Sequence, residues 1–205
     1  MSQQTLVIAT RNSGKLFELR ELLRDLPLTL CDLNSFPSIE SVEETGATFS
    51  ENACVKARAY AEQTRSLVLA DDSGLEVSSL GGAPGVYSAR YAGDGASEAQ
   101  RTEKLLAVLS KSPDDRAARF VSAVAIANSD GRILNVSVGV CEGHIANAPR
   151  GPNGFGYDPV FIPDGYGQTF GELSADVKNQ ISHRARALKG ALVFLRSLTM
   201  ASGDG

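Results

Sequence analysis

Apolar residues fall along this chain in short strand-like runs that alternate with stretches of helical period. Thr5 to Ala9 is a β-branched and apolar run, followed at once by the polar turn Thr10-Arg11-Asn12-Ser13-Gly14-Lys15. Leu16, Leu19, Leu22, Leu23 and Leu26 then recur at helical spacing, so the pattern predicts strand, turn and amphipathic helix. A loop from about Asn34 to Gly46 carries Glu40, Glu43 and Glu44. Thr48-Phe49-Ser50-Glu51 has the spacing of a capping box and predicts a helix through about Gln63. Leu67 to Ala70 reads as a second buried strand that ends directly in Asp71-Asp72-Ser73-Gly74. The stretch Gly81-Gly82-Ala83-Pro84-Gly85 is expected to be irregular.

Ser97 is placed to cap a helix running through Leu109. Ala118 to Asn128 and Arg132 to Val140 read as long strands joined by the turn signal Ser129-Asp130-Gly131, an antiparallel hairpin expected to be scaffold. Ala146 to Tyr157 is rich in Gly, Pro and Asn. Ser182 is expected to begin a last helix with Ala185, Leu188, Ala191, Leu192 and Leu195 on its apolar face. Together these predict an α/β fold on a mixed central sheet, with a long antiparallel hairpin and two lobes around a ligand cleft at the carboxyl ends of the strands. The 205 residues fit a single domain over 1–205 without internal repeats, with 200–205 expected to be disordered.

Composition narrows the partners. With 20 basic against 24 acidic residues the net charge is −4, which argues against a nucleic-acid polymer but allows a small anion held by a local basic cluster. No apolar run approaches the roughly 20 residues of a membrane-spanning helix. Met1-Ser2-Gln3-Gln4 lacks the basic start of a secretory signal, so a cytoplasmic protein with no membrane partner is expected. Cys31, Cys54 and Cys141 are scattered, forming neither a disulfide framework nor a zinc-ligand spacing, and are expected to be buried thiols.

Several clusters carry chemistry. Thr10 to Lys15 places hydroxyls, an amide, a glycine and a lysine at a helix N-terminus, which favours an anion such as a polyphosphate. It is not a Walker A loop, because Lys15 is followed by Leu16. The carboxylates of Glu43, Glu44, Asp71 and Asp72 suit the hard, oxygen-rich, hydrated site that magnesium prefers, and a cation would relieve the repulsion of the adjacent aspartates. An aspartate near its ordinary pKa of about 3.9 is a poor base at neutral pH, so Asp72 needs a raised pKa or a metal acidifying its water. Lys56 and Lys178 are candidates to neutralise phosphate charge, unless they are ordinary surface lysines. Gly154-Phe155-Gly156-Tyr157-Asp158-Pro159 sets aromatic rings between glycines, a candidate shelf for a planar base. Ser182-His183-Arg184 supplies a cap and donors for carbonyl or phosphate oxygens. A serine hydrolase is excluded by the absence of Gly-x-Ser-x-Gly, and a cysteine nucleophile by the lack of a neighbouring histidine.

In combination these segments resemble the family of inosine and xanthosine triphosphate pyrophosphatases, the Ham1 family. The resemblance covers nearly the whole chain and rests on Ala9 to Lys15, Glu43-Glu44-Thr45-Gly46, Glu51-Asn52-Ala53 with Lys56-Ala57, Ala70 to Leu75, Gly81 to Arg90, Gly154 to Pro159 and Ser182-His183-Arg184. It implies hydrolysis of non-standard purine triphosphates (dITP/ITP, XTP/dXTP) to the monophosphate and pyrophosphate, in a Mg2+-dependent homodimer. It further implies that Thr10, Asn12 and Lys15 hold the triphosphate within a turn that also includes Arg11, Ser13 and Gly14, Arg11 being a variable slot. Asp72 would be general base and metal ligand, Glu43 would complete the metal site and Ser73 would touch the nucleotide. Phe155 would stack on the base, with Gly156, Tyr157, Asp158, Lys178, His183 and Arg184 lining the pocket. The rival readings are a pyrophosphatase for other modified nucleotides, as in the related Maf-like enzymes, and a non-catalytic nucleotide sensor. The Ser-His-Arg helix start argues against the first, and Asp71, Asp72 and Lys15 together against the second.

Overall fold

The computed structural model describes residues 4–111 and 115–201. Six strands, β1 (Thr5–Ala9), β2 (Thr29–Asp32), β3 (Leu67–Val77), β4 (Ala117–Ala127), β5 (Ile133–Ile145) and β6 (Phe161–Pro163), form one sheet in the order β2-β1-β3-β4-β5-β6. β1 runs parallel to both β2 and β3, whereas β5 and β6 are antiparallel, so the sheet is mixed as expected. Five α-helices accompany it: α1 (Ser13–Leu23), α2 (Phe49–Thr64), α3 (Glu98–Leu109), α4 (Ala175–Ile181) and α5 (His183–Ala201). Met200 and Ala201 close α5, and 202–205 lie outside the described residues.

Local chemistry accounts for the helix starts. The Asn12 side chain accepts the Lys15 amide and caps α1. Thr48 and Glu51 form the capping box of α2, and Ser97 and Gln100 form another at α3, each satisfying donors that a helix N-terminus leaves open. β4 and β5 are sheet neighbours linked by a turn in which the Asn128 amide donates to the Arg132 carbonyl (3.0 Å) and Gly131 takes a left-handed conformation (φ 78°).

Several expectations are corrected. β3 does not end at Ala70 but continues to Val77, so Asp71 and Asp72 stand inside a strand rather than at its end. Leu75 and Val77 keep the strand anchored by burial, and the aspartates stay in it because cations meet their charge, as described below. The last helix starts at His183, with Ser182 in the cap position as expected, but Ser182 also ends a separate short helix, α4, capped by Ser174, which the pattern did not show. β5 outruns Val140 to Ile145, where its last residues pair with β6. Of the thiols, Cys141 is buried, but Cys31 and Cys54 are only half-buried.

The chain divides into two compact units. The first comprises residues through Asp72, Ser122–Gly139 and Arg184 onward. Its core joins Leu6 and Ile8 of β1, Leu19 and Leu23 of α1, Leu67 and Leu69 of β3, Val124 and Ile126 of β4, and Leu188 and Leu195 of α5. The second comprises Ser73–Val121 and Val140–His183. It is built on Leu75, Val77, Leu105, Leu109 and an aromatic group of Phe120, Phe161 and Phe170.

The α2 cap holds the approach of the acidic loop as well as the helix. Thr48→Ala is expected to cost about 1 kcal/mol, which for a chain of this size lowers the melting temperature by about 2–4 °C. Thermal unfolding followed by circular dichroism checks this, and an unchanged midpoint would show that the box adds nothing.

Candidate functional site

In the first unit the residues of interest gather around Asp71 and Asp72. The turn before α1 is ordered by its own side chains: Thr10 Oγ1 accepts the Asn12 amide (3.2 Å) and Asn12 Oδ1 accepts the Lys15 amide (2.9 Å). Arg11, Asn12 and Ser13 are exposed there, and Arg11 donates to the Ile39 carbonyl (3.4 Å). Lys15 turns inward, its Nζ 2.9 Å from Asp71 Oδ2.

Asp71 is held by three side chains. Ser122 Oγ of β4 donates to its Oδ1 (2.6 Å), and Arg184 Nε lies 3.6 Å from the same oxygen. Arg184, only 1 % exposed, also donates to Glu18 on α1. The arrangement is a chain of alternating charge, Lys15, Asp71, Arg184, Glu18, whose two ends both lie on α1. Burial alone would raise the Asp71 pKa, but Lys15, Arg184 and Ser122 outweigh it and hold the carboxyl well below the usual carboxylate range. Burial, only partly offset by Asp71, lowers the Lys15 pKa.

Asp72 differs. Its Oδ1 accepts a hydrogen bond from Lys56 Nζ (3.0 Å), which also donates to Glu44 Oε1 (2.7 Å) and to the Asp71 carbonyl (2.8 Å). Its Oδ2 is buried and finds no hydrogen-bond partner among the described residues. Asp72 is 6 % exposed, and that burial, reinforced by Glu44, outweighs the lysines and raises its pKa. For Lys56 burial favours the neutral amine, yet Asp72 and Glu44 outweigh it and raise its pKa.

The acidic loop reaches this group because α2 pins it along its length. The Glu40 amide donates to Gln63 Oε1 (2.8 Å), the Val42 amide to the Tyr60 hydroxyl (3.4 Å) and the Gly46 amide to Asn52 Oδ1 (2.7 Å). Glu44 is thereby brought onto Lys56, whereas Glu43 is exposed. Among the described residues no three His, Cys, Asp or Glu side chains form a set able to hold a metal by themselves. A magnesium ion would fit only with one or two carboxylates and the remaining positions filled by phosphate oxygens and water, which is its usual preference. The unpartnered Asp72 Oδ2 is the atom that fits it.

In the second unit Asp158 organises the glycine-rich turn. Its Oδ2 accepts the Phe155 amide (2.8 Å) and a hydrogen bond from Lys178 of α4, and a side chain at Gly154, which is left-handed (φ 75°), would run into the same oxygen. Lys178 Nζ sits 4.7 Å from the centre of the half-buried Phe155 ring. Lys178 and Lys56 are both buried, not the surface lysines they could have been. Tyr157 is buried, and its hydroxyl donates to the Ser88 carbonyl (3.0 Å). His183 is buried and stacks on Phe120 with ring centres 4.6 Å apart.

Thr10 to Lys15, Glu43, Lys56, Asp72 and Arg184 therefore belong to the first unit, and Ser73, Phe155 to Asp158, Lys178 and His183 to the second. The sequence reading missed Glu18, Ser122 and Ser88. Glu18 had a weak signal, lying one helical turn after Lys15. Ser122 had another, a lone hydroxyl inside the apolar run Phe120 to Ala127 that must find a partner when buried.

The chain matches the model of the Ham1 family over residues 6–194. It is 50% identical over 194 residues to a dITP/XTP pyrophosphatase of Desulforamulus reducens, covering 94% of this chain and 96% of that one. A dITP/XTP pyrophosphatase of Syntrophobacter fumaroxidans is 53% identical over 188 residues, covering 92% and 80%. Among solved structures, a HAM1 protein from Coxiella burnetii superposes with a TM-score of 0.85 at 45% identity, covering 97% of this chain and 100% of that one.

Removing one member of a buried charge group strands the others. Asp71→Asn is expected to lower the free energy of unfolding by about 3–5 kcal/mol, measured in denaturant at neutral pH. Because the folded-state pKa of Asp71 is depressed, its contribution is present above the unfolded value of about 3.9 and lost as pH falls toward the folded one. The wild type should thus lose stability more steeply than Asp71→Asn below about pH 4; parallel acid limbs would show that the carboxylate is not held by its neighbours.

Proposed function

The chain belongs to the Ham1 family, and we infer that it hydrolyses non-standard purine nucleoside triphosphates, dITP/ITP and XTP/dXTP, to the monophosphate and pyrophosphate, cleansing the nucleotide pool. The observation that carries the mechanism is the contrast between the adjacent aspartates. Asp71 is kept ionised by Lys15, Arg184 and Ser122, while Asp72 is pushed upward by burial and keeps one oxygen without a hydrogen-bond partner. Environment thus separates two identical carboxyls into a structural anion and a proton acceptor.

Asp72 accordingly takes the proton of the water that attacks the α-phosphorus. Lys56, held against Asp72 by Glu44, keeps the carboxylate oriented and balances charge beside it. Thr10 to Lys15 holds the phosphates at the N-terminus of α1 through its backbone amides and exposed side chains. Asp72 and Glu43 are the proposed protein ligands of Mg2+, with Glu44 already taken by Lys56. When bound, the metal supplies positive charge to phosphate oxygens and makes water more acidic. Everything else is positioning and electrostatics.

Ser73 and the Phe155 to Asp158 turn bind the nucleoside, with Phe155 as the stacking ring and Lys178, fixed by Asp158, adding charge over one face of that ring. Donors that face the purine 6-carbonyl oxygen select hypoxanthine and xanthine over adenine, which presents an amino group there. Backbone amides of Gly156 and Tyr157 are favoured for this, because Arg184 is engaged by Glu18 and Asp71 and His183 lies against Phe120. Each mismatched donor costs about 1–3 kcal/mol, so two give a discrimination on the order of 10²- to 10⁴-fold. The same resemblance supports a cytoplasmic homodimer. Among the described residues no helix is long and apolar enough to cross a membrane.

Turnover of ITP, XTP, ATP and GTP with magnesium, with pyrophosphate and orthophosphate assayed separately, tests the reaction. Pyrophosphate from ITP and XTP, with little from ATP or GTP, is expected; orthophosphate would mean cleavage at the γ position, and no turnover would leave a nucleotide sensor. Asp72→Asn should lose about 10²- to 10⁴-fold in kcat, the usual contribution of a general base, while still folding to a single cooperative melting transition. Activity within a few-fold of wild type would remove Asp72 from that role.

A further inference from the structure

Ser88, in the short helical turn Gly85–Arg90 of the second unit, is a buried node that none of the steps above uses. Its Oγ accepts the amide of Leu75 on β3 (2.9 Å) and donates to the Gly85 carbonyl (2.7 Å), while its own carbonyl accepts the Tyr157 hydroxyl (3.0 Å). One residue therefore ties β3, just beyond Ser73, to the turn that carries Phe155. We propose that Ser88 and the Tyr157 hydroxyl form a strut that positions the Gly154–Asp158 turn against Ser73–Leu75, making both of them positioning residues for nucleotide binding. The proposal rests on the assignment of that turn as the base shelf.

Three features support it. The Tyr157 phenol is 4 % exposed and reaches a main-chain carbonyl 69 residues away in sequence. Phenylalanine would fill the same apolar space, so the hydroxyl adds direction rather than volume. Burial raises the pKa of this phenol, which keeps it a neutral donor across the working range. The approach of β3 is also close: a side chain at Gly74 would meet Ser88 Oγ at 2.3 Å and the Gly85 carbonyl at 2.7 Å, so the segments are set at contact distance and cannot slide. Thr102 of α3 adds a longer tie, its hydroxyl 3.5 Å from the Gly156 carbonyl.

Phe155 is only half-buried, so the backbone beneath it sets the place of its ring. Releasing the strut should let the shelf drift relative to Ser73 and weaken binding. Lys15, Lys56 and Asp72 belong to the first unit and keep their own partners, so the chemical step should be spared.

The test measures kcat and KM for ITP, and the preference for ITP over ATP, in Tyr157→Phe, Ser88→Ala and Phe155→Ala, with thermal melting of each. Tyr157→Phe removes a single atom, so it remains informative should Ser88→Ala fold poorly. Tyr157→Phe is expected to raise KM by about 5- to 30-fold, the worth of one directional hydrogen bond, with kcat within about threefold and a reduced ITP preference. A rise in KM for Phe155→Ala with none for Tyr157→Phe would overturn the strut alone. No rise for either would overturn the shelf, and the strut with it. A lower melting point with kinetics unchanged would reduce Tyr157 and Ser88 to packing, and a fall in kcat at constant KM would place them in the chemical step instead.

Discussion

The site depends first on one constraint: a carboxylate, Asp71, buried inside a strand with its charge intact. A buried ion is tolerated only when opposite charge and hydrogen bonds replace the water it has lost. Lys15, Arg184 and Ser122 do this from three different elements, so the demand of one side chain locates α1, β4 and the first turn of α5 with respect to β3. Glu18 completes the balance by holding Arg184. Since Lys15 and Glu18 sit one turn apart on α1, that helix is gripped at two points, and the Thr10 to Lys15 turn at its start inherits the position.

Asp72 owes its environment to what Asp71 leaves over. Arg184 and Ser122 are committed to Asp71, so the neighbouring carboxylate has mainly Lys56, itself shared with Glu44. Fewer cations and substantial burial push its proton affinity upward, the direction a base needs at neutral pH. The second unit repeats the economy with different residues. Asp158 closes the Gly154–Asp158 turn through the Phe155 amide and fixes Lys178 with the same oxygen.

Much of this was legible in the sequence. The helix starts at Asn12, Thr48 and Ser97 follow from caps whose donor and acceptor are three residues apart, and β1 and β4 follow from continuous apolar runs. The motif residues also lie in the kind of element expected, Thr10 to Lys15 at a helix N-terminus and Phe155 in a glycine turn. The strand end at Ala70 was misread for a physical reason: polarity normally stops a buried strand, and nothing local reveals the cations that let β3 carry two aspartates. Glu44 rather than Glu43 meeting Lys56 was likewise invisible, since adjacent glutamates in a loop look alike until α2 fixes the register of that loop.

The sequence by itself determined the order and kind of the main elements and their caps, because these signals are written within a few residues of one another. Tertiary structure decided which polar groups meet: Glu18 with Arg184 across 166 residues, Ser122 with Asp71 across 51, Tyr157 with Ser88 across 69. The first two pairings hold Asp71 ionised, while burial pushes the proton affinity of Asp72 upward. The pairings arise because desolvation makes each buried polar group seek a partner wherever the fold brings one, without regard to distance along the chain.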